Sequence, residues 1–120
     1  MEETLYDISG TLVAYITYDY EPIIYMWNGK PVVYLDQDCI YGFNGKHLGW
    51  FENGYIRDLL GFIVGFNKYA TDVFLVREPY KSFKQFQPFK NFKELKKLKP
   101  LYSRVKSSES LSVFLKKGTK

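Results

Sequence analysis

Hydrophobic residues recur at fixed distances from four glycines in the first half of the chain. The reference positions are Gly10, Gly29, Gly45 and Gly61. The position five residues before each glycine holds a large aliphatic side chain, in turn Leu5, Ile24, Ile40 and Ile56. The position five residues after each holds an aromatic one, in turn Tyr15, Tyr34, Trp50 and Phe66. A unit of this length around one central glycine predicts a β-hairpin, repeated four times.

The residue before each glycine indicates the type of turn. Asn28-Gly29 and Asn44-Gly45 tolerate positive φ angles, and Ser9-Gly10 resembles them. A two-residue turn of type I′ needs positive φ at both central residues, so this type is predicted for three of the hairpins. Leu60-Gly61 fits it poorly because a leucine at positive φ is strained, which leaves a different turn type open for the fourth.

A two-residue turn pairs residues that lie equally far from it on the two strands. The large aliphatic residue before each glycine then faces a small residue four positions after it, in turn Ala14, Val33, Gly49 and Gly65. The opposite face collects tyrosine, tryptophan and phenylalanine, so both faces of every hairpin are apolar. Because an isolated hairpin is barely stable in water, the four hairpins must pack on one another. Polar turns join them at residues 36–38, 52–54 and 67–69, and the segment TDVFLV (71–76) predicts the first strand of a fifth unit.

The hairpin units resemble the four-fold β-flower domain family of bacterial proteins. The resemblance covers roughly residues 4–76 through four units of the form Y-x-x-x-G-x-x-V-x-Y, and it continues more loosely into the C-terminal segment. It implies four β-hairpins in a pseudo-four-fold symmetric array, followed by an extended tail. Arg57, Leu60 and a lengthened first interval depart from the repeat. The resemblance brings no catalytic or binding residue with it.

The net charge of +4 conceals an acidic body and a basic tail. Residues 1–76 contain four basic and ten acidic residues, a net charge of −6, whereas residues 77–120 contain thirteen basic and three acidic ones, a net charge of +10. The change falls near Val76–Pro79. We therefore expect a hairpin domain over 1–76 and a separate tail over 77–120.

The tail has an apolar residue at every third position from Phe83 to Leu101, with lysine, glutamine, proline and asparagine between them. A polyproline II segment has three residues per turn, so this spacing predicts one continuous apolar ridge. We expect the ridge to pack inward on the acidic body with its lysines outward. Asn91 and Glu94 form a candidate capping box for a helical stretch before Pro100, and a short helix is predicted near 108–117, with a serine cap and Gly118 at its end.

Candidate site residues are few, and each has a structural explanation. His47, the sole histidine, occupies a repeat position that is apolar in the other units, which favours packing over catalysis or metal binding. Asp36 and Asp38 could bind a cation but are ordinary turn residues. Cys39 is the only cysteine, so no disulfide framework or cysteine-based metal cluster is expected. Neither a catalytic motif nor a cofactor motif is present, and no enzymatic activity is predicted.

The mixture of lysine and aromatic residues in the tail is the feature most open to a functional interpretation. The candidate interaction residues are Lys81, Lys84, Lys90, Lys93, Lys96 and Lys97. Our first hypothesis is a non-enzymatic structural or protein-interaction module, with a protein partner or self-association. The alternative is nucleic-acid binding through the tail, and a weaker one is small-molecule binding near the pseudo-symmetry axis. Without a leader sequence or a long apolar run, we expect a cytoplasmic protein that does not contact membranes.

Overall fold

The computed structural model describes residues 1–70 and 78–120. Its central element is a closed barrel of eight antiparallel strands in which β8 pairs with β1. The strands are β1 (Glu2–Asp7), β2 (Leu12–Thr17), β3 (Ile23–Met26), β4 (Pro31–Asp36), β5 (Cys39–Gly42), β6 (His47–Glu52), β7 (Tyr55–Asp58) and β8 (Ile63–Asn67). A 3-10 turn (Lys68–Ala70) follows β8, and the helix α1 (Leu111–Lys116) lies near the C-terminus. The predicted all-β fold of four consecutive hairpins with a short terminal helix is confirmed.

The four hairpin tips share one turn geometry, which differs from the predicted one. In the third hairpin the N–H of Gly45 donates to the carbonyl of Gly42, and the N–H of Gly42 donates to the carbonyl of Lys46, each at 2.9 Å. This is a three-residue loop in which only the glycine needs positive φ, +87° at Gly45. The type I′ prediction is wrong for these tips. Leu60 is therefore unstrained, because the residue before the glycine does not adopt positive φ.

Positive φ at two successive residues occurs instead in the turn between the third and fourth hairpins. Asn53 has a φ of 53° and Gly54 one of 82°, and the flanking residues Glu52 and Tyr55 pair with each other. The Asn-Gly sequence therefore marks two different turns in this chain.

The predicted pairing of a large residue with a small one is present in all four hairpins. The pairs are Leu5 with Ala14, Ile24 with Val33, Ile40 with Gly49 and Ile56 with Gly65. Immediately beyond each pair the register shifts by one residue, which is a β-bulge at the third residue after the turn glycine. The bulged residues Val32, Leu48 and Val64 are buried in the same core as the large aliphatic side chains.

Helix α1 completes that core at the hairpin tips. Leu111, Phe114 and Leu115 are at most 1% exposed and pack with the aliphatic residues of the barrel. Ser110 caps the helix by accepting a hydrogen bond from the N–H of Val113, and the N–H of Gly118 donates to the carbonyl of Leu115. The helix is shorter than the predicted 108–117: a serine does cap it, at Ser110, but its C-cap residue is Lys117, with Gly118 one residue beyond.

The outer wall of the barrel is a second apolar layer made mainly of aromatic side chains. It comprises Tyr15, Ile23, Tyr25, Tyr34, Cys39, Tyr41, Phe43 and Trp50, all of them buried. Neighbouring rings stack, as in the pair Tyr15–Tyr25, whose centroids lie 5.6 Å apart. Such a layer must be covered from outside, and the tail covers it.

The tail runs around the barrel past one hairpin after another. The N–H groups of Ser82 and Gln85 donate to carbonyls at the tip of the second hairpin, those of Trp27 and Gly29. Nine residues later, Asn91 and Glu94 make the same two bonds to the third hairpin, at Phe43 and Gly45. Nine residues later again, Ser103 donates to Gly61 in the fourth hairpin. A nine-residue repeat in the tail thus matches the hairpin repeat of the barrel.

The path of the tail along the hairpin tips leaves no helix after Asn91, where one was predicted. Residues 91–99 form no helix, because the N–H groups of Asn91 and Glu94 are bound to barrel carbonyls and the Glu94 side chain accepts a hydrogen bond from the N–H of His47. The proposed fifth strand at 71–76 lies outside the described residues, as does part of the expected boundary between body and tail.

Substitution of the turn glycines should report how closely the tail approaches the barrel. Gly45 and Gly61 have nearly equal φ, +87° and +86°, so alanine costs about 1–2 kcal/mol of backbone strain at either position. A Cβ on Gly45 would overlap the Phe92 carbonyl oxygen, whereas one on Gly61 would lie 2.8 Å from that of Leu101. We expect Gly45→Ala to lower the free energy of unfolding more than Gly61→Ala and to speed tryptic cleavage of the tail. Equal losses in urea unfolding would contradict this close approach.

Candidate interaction surface

The tail presents three faces because its contacts repeat every three residues. The first, the backbone-contact face, comprises Ser82, Gln85, Pro88, Asn91, Glu94, Lys97, Pro100 and Ser103. Six of these residues donate a main-chain N–H to the barrel, five to carbonyls at hairpin tips and Lys97 to Nδ1 of His47. The other two are prolines, which have no N–H to donate. Pro88 and Pro100 therefore lie on the same face of the tail as the residues whose backbone N–H groups bind the barrel.

The second face, the lysine face, comprises Lys81, Lys84, Gln87, Lys90, Lys93, Lys96, Lys99 and Tyr102. Its ion pairs join the tail to carboxylates of the barrel: Lys81 and Lys84 to Glu2, Lys90 to Glu21, Lys93 to Asp36, and Lys99 to both Asp38 and Glu52. The hydrogen bond from Lys93, at 2.8 Å, lowers the pKa of Asp36. Opposite charges of tail and body thus meet along this face.

The same lysines lie over the aromatic wall. The Lys90 ammonium is 4.2 Å from the ring centroid of Tyr34, and that of Lys81 is 4.8 Å from the ring of Tyr15. A cation above a ring face is attracted by the ring's quadrupole while its aliphatic stem covers apolar surface. Lysine side chains therefore cover the aromatic wall, the role that sequence analysis assigned to phenylalanine and leucine.

The third face is the apolar ridge, and it points away from the barrel. Its side chains are between 90% and 102% exposed: Phe83, Phe86, Phe89, Phe92, Leu95, Leu98 and Leu101. Tyr80, three residues before Phe83, is also 102% exposed and continues the same spacing. The prediction that the ridge packs inward with lysines outward is wrong, because the orientation is reversed.

The reversal has a physical cause. A repeat of three divides a chain into three faces and does not say which of them turns inward. The barrel offers carbonyl oxygens at its hairpin tips, carboxylates around its wall and tyrosine rings between them. Backbone N–H groups of the tail bind carbonyls of the second, third and fourth hairpins, and its ammonium groups pair with carboxylates of the wall. A phenylalanine in place of a lysine would leave these carboxylates without their ion pairs.

The six lysines selected from the sequence do not form one free basic surface. Lys81, Lys84, Lys90 and Lys93 are paired with barrel carboxylates, as described above. The side chain of Lys97 lies 3.4 Å from Glu94 of the tail itself. Lys96 is near enough to Asp36 to contribute to the low pKa of that carboxyl. Sequence reasoning found these residues but missed the exposed ridge beside them, for which only the charge difference between body and tail was a signal.

His47 links the barrel to the tail and is 1% exposed. Its ring stacks on Tyr41 at 5.2 Å between centroids and meets the edge of Trp50 at 4.8 Å. Nδ1 accepts the N–H of Lys97 at 2.9 Å, so the proton of the neutral ring lies on Nε2, which donates to the carbonyl of Gly49 at 3.0 Å. Burial lowers the pKa of His47, which keeps the ring neutral near pH 7.

The other candidate residues take part in the same packing. Asp38 pairs with Lys99 as Asp36 does with Lys93, and burial raises the pKa of the Cys39 thiol. Within residues 1–70 and 78–120, no group of three histidine, cysteine or acidic side chains is placed to hold a metal ion. Among those residues there is also no helix of sufficient length and hydrophobicity to span a membrane.

The axis where the four hairpins converge is filled by side chains. Leu5, Ile24, Ile40 and Ile56 meet there together with the apolar residues of α1. A groove of about 740 Å³ lies elsewhere, between the third and fourth hairpins and the segment from Lys106 to Glu109. The geometry around the axis therefore offers little room for a small molecule.

The protein is a closed eight-stranded barrel of four repeated hairpins, with its own C-terminal tail bound around the outside. The model of one protein family, described as 4-fold beta flower protein, matches residues 3–115. The chain belongs to this family, and the resemblance noted in its hairpin units is confirmed. No curated protein and no solved structure matches the chain.

The His47 contact makes tail docking sensitive to acid. Because the folded pKa of His47 lies below its ordinary value of about 6.5, the unfolded chain takes up the proton first as the pH falls. The stabilisation is complete above about pH 6.5 and is lost as the pH falls through the folded pKa. We expect a lower free energy of unfolding, measured with urea, at pH 5.5 than at pH 7.5.

The matched variant is His47→Asn, whose side-chain oxygen can accept the Lys97 N–H but does not titrate. It should be less stable overall and should lose the pH dependence that begins below about pH 6.5. The pKa values of Glu94, Asp36 and Asp38 are lowered by their hydrogen bonds to His47, Lys93 and Lys99, so a further loss of stability at lower pH should remain. An unchanged pH profile in His47→Asn, measured by urea unfolding, would contradict this assignment.

Proposed function

We propose that this protein is a non-enzymatic interaction module that presents the apolar ridge to a protein partner. The observation that carries the proposal is the exposure of all seven ridge side chains at 90% or more. The four phenylalanines alone correspond to roughly 600–1,000 Å² of surface. Monomeric proteins seldom expose a contiguous apolar patch larger than about 300–600 Å². A surface of this size and regularity is typical of a binding site.

The barrel supports this role as a rigid frame. The tail is attached at six of the eight positions of its backbone-contact face, so the exposed side chains are held in a row at intervals of about 9 Å. Holding them in place reduces the entropy lost on binding, which favours affinity. A cytoplasmic location, where the free thiol of Cys39 would stay reduced, remains part of the proposal.

The structure supports nucleic-acid binding less than the sequence did. Phosphate contacts require lysines that can reach the nucleic acid, and most lysines of the lysine face already bind carboxylates of the same chain. The exposed phenylalanines could stack on bases, but the positive charge beside them is largely compensated. We therefore keep nucleic acid as the alternative outcome of the experiment.

Photo-crosslinking inside the native cell tests the proposal. A benzophenone amino acid replaces Phe86, which is 101% exposed on the ridge, and in the control it replaces Tyr20, which is equally exposed but lies in the loop between β2 and β3. We expect discrete protein adducts from position 86 and none from position 20. Adducts that disappear on nuclease treatment, or equal labelling from both positions, would overturn the proposal.

A further inference from the structure

The apolar ridge has a spacing that restricts what can pack against it. Successive ridge side chains are three residues apart, about 9.3 Å in a polyproline II segment. Neighbouring side chains on one face of an α-helix are about 5–6 Å apart, and those on one face of a strand about 6.8 Å. Neither spacing matches the ridge over its length of about 56 Å. An identical ridge matches it at every position.

The barrel strands cannot pair with a strand of another chain. All eight strands are paired on both sides, so the described part of the chain offers no free strand edge. A partner of the ridge must therefore be held by side-chain packing. Interdigitation suits this, since the side chains of one ridge can enter the 9 Å gaps of another.

The charges of the folded protein also allow two copies to meet at the ridge. A free tail with a net charge of +10 would repel another such tail. In the folded protein five lysines of the lysine face, which lies beside the ridge, are turned onto carboxylates of the barrel: Glu2, Glu21, Asp36, Asp38 and Glu52. The barrel thus removes the repulsion from the surface on which two copies would meet.

The area is that of a stable dimer. A standard protein interface buries about 800 Å² on each partner, and the four phenylalanines alone supply roughly 600–1,000 Å². Leu95, Leu98 and Leu101 add to this on the same face. The apolar area of the ridge is therefore comparable to one side of a standard interface.

We propose, on the basis of the proposed function, that the partner of the ridge is a second copy of this chain. In the proposed dimer the two ridges pack against each other along their length. The tails then run antiparallel about a two-fold axis. Phe92 is the middle residue of the seven, so it lies next to the two-fold axis and meets Phe92 of the second copy.

The mass in solution tests the inference directly. The protein should have twice the 14.2 kDa mass of one chain at micromolar concentrations in light scattering and sedimentation equilibrium. The dissociation constant of the dimer should rise at least about tenfold in the double variant Phe86→Gln/Phe89→Gln, because buried aromatic side chains dominate interface energies. Tyr20→Gln, which removes an equally exposed aromatic ring elsewhere, should leave the mass unchanged. Circular dichroism should show all three proteins folded.

Cysteine substitution tests the antiparallel arrangement. Cys39 is buried, so Phe92→Cys should form a disulfide-linked dimer rapidly in mild oxidant. Phe83→Cys and Leu101→Cys should each form no disulfide-linked dimer alone and should form one when the two variants are mixed. Crosslinking of Phe83→Cys with itself, or an unchanged mass in the ridge double variant, would overturn this arrangement.

The outcomes separate this inference from the proposed function. A monomeric wild-type protein whose position 86 still captures another protein inside the cell would overturn the second copy as partner and leave the interaction module standing. A monomeric protein without adducts would overturn both. A monomer that binds phosphatidylcholine vesicles through its ridge would overturn both as well, because the ridge would then serve a lipid surface.

Discussion

The attachment of the tail to the barrel is the contact on which the rest of the structure depends. The barrel's outer wall is built of buried tyrosine, phenylalanine and tryptophan side chains, which need a cover. The tail provides it with backbone N–H groups at the hairpin tips and ammonium groups over the rings. Because the tail uses its polar groups for this purpose, its apolar side chains are left on the outside. The exposed ridge is thus a consequence of how the acidic body is neutralised.

Two repeats of different length are coupled in this fold. The barrel advances by one hairpin in about 16 residues, and the tail advances by the same angle in nine. Nine is three turns of a three-residue conformation, so equivalent tail residues reach equivalent positions on successive hairpins. The turn glycines serve both repeats, since Gly29, Gly45 and Gly61 form the tips and also leave room for the carbonyls of Phe83, Phe92 and Leu101.

The strand pairing could be predicted from the sequence because it depends on local spacing. The turn type and the orientation of the tail could not, because more than one structure fits the same sequence pattern. The pair Ile40–Gly49 followed from strand geometry, as did the aromatic outer face. Asn44-Gly45 is compatible with a type I′ turn, but also with a loop in which only the glycine has positive φ. Leu60, which would be strained at positive φ, indicated the second of these turns. The spacing of the tail allowed three orientations, and hydrophobicity alone favoured the wrong one. The charges of −6 and +10, taken as a contact rather than a boundary, indicate the orientation found.

Residue-resolved hydrogen exchange distinguishes attachment of the tail through its backbone-contact face from any other way of docking it. If the tail is attached through its backbone-contact face, the amides of Ser82, Gln85, Asn91, Glu94, Lys97 and Ser103 are protected in the native protein. The amides of Phe83, Lys84, Phe92 and Lys93, one and two residues further on, then exchange rapidly. Uniformly rapid exchange from 80 to 103 would contradict attachment, and protection in a different phase of three would contradict the outward ridge.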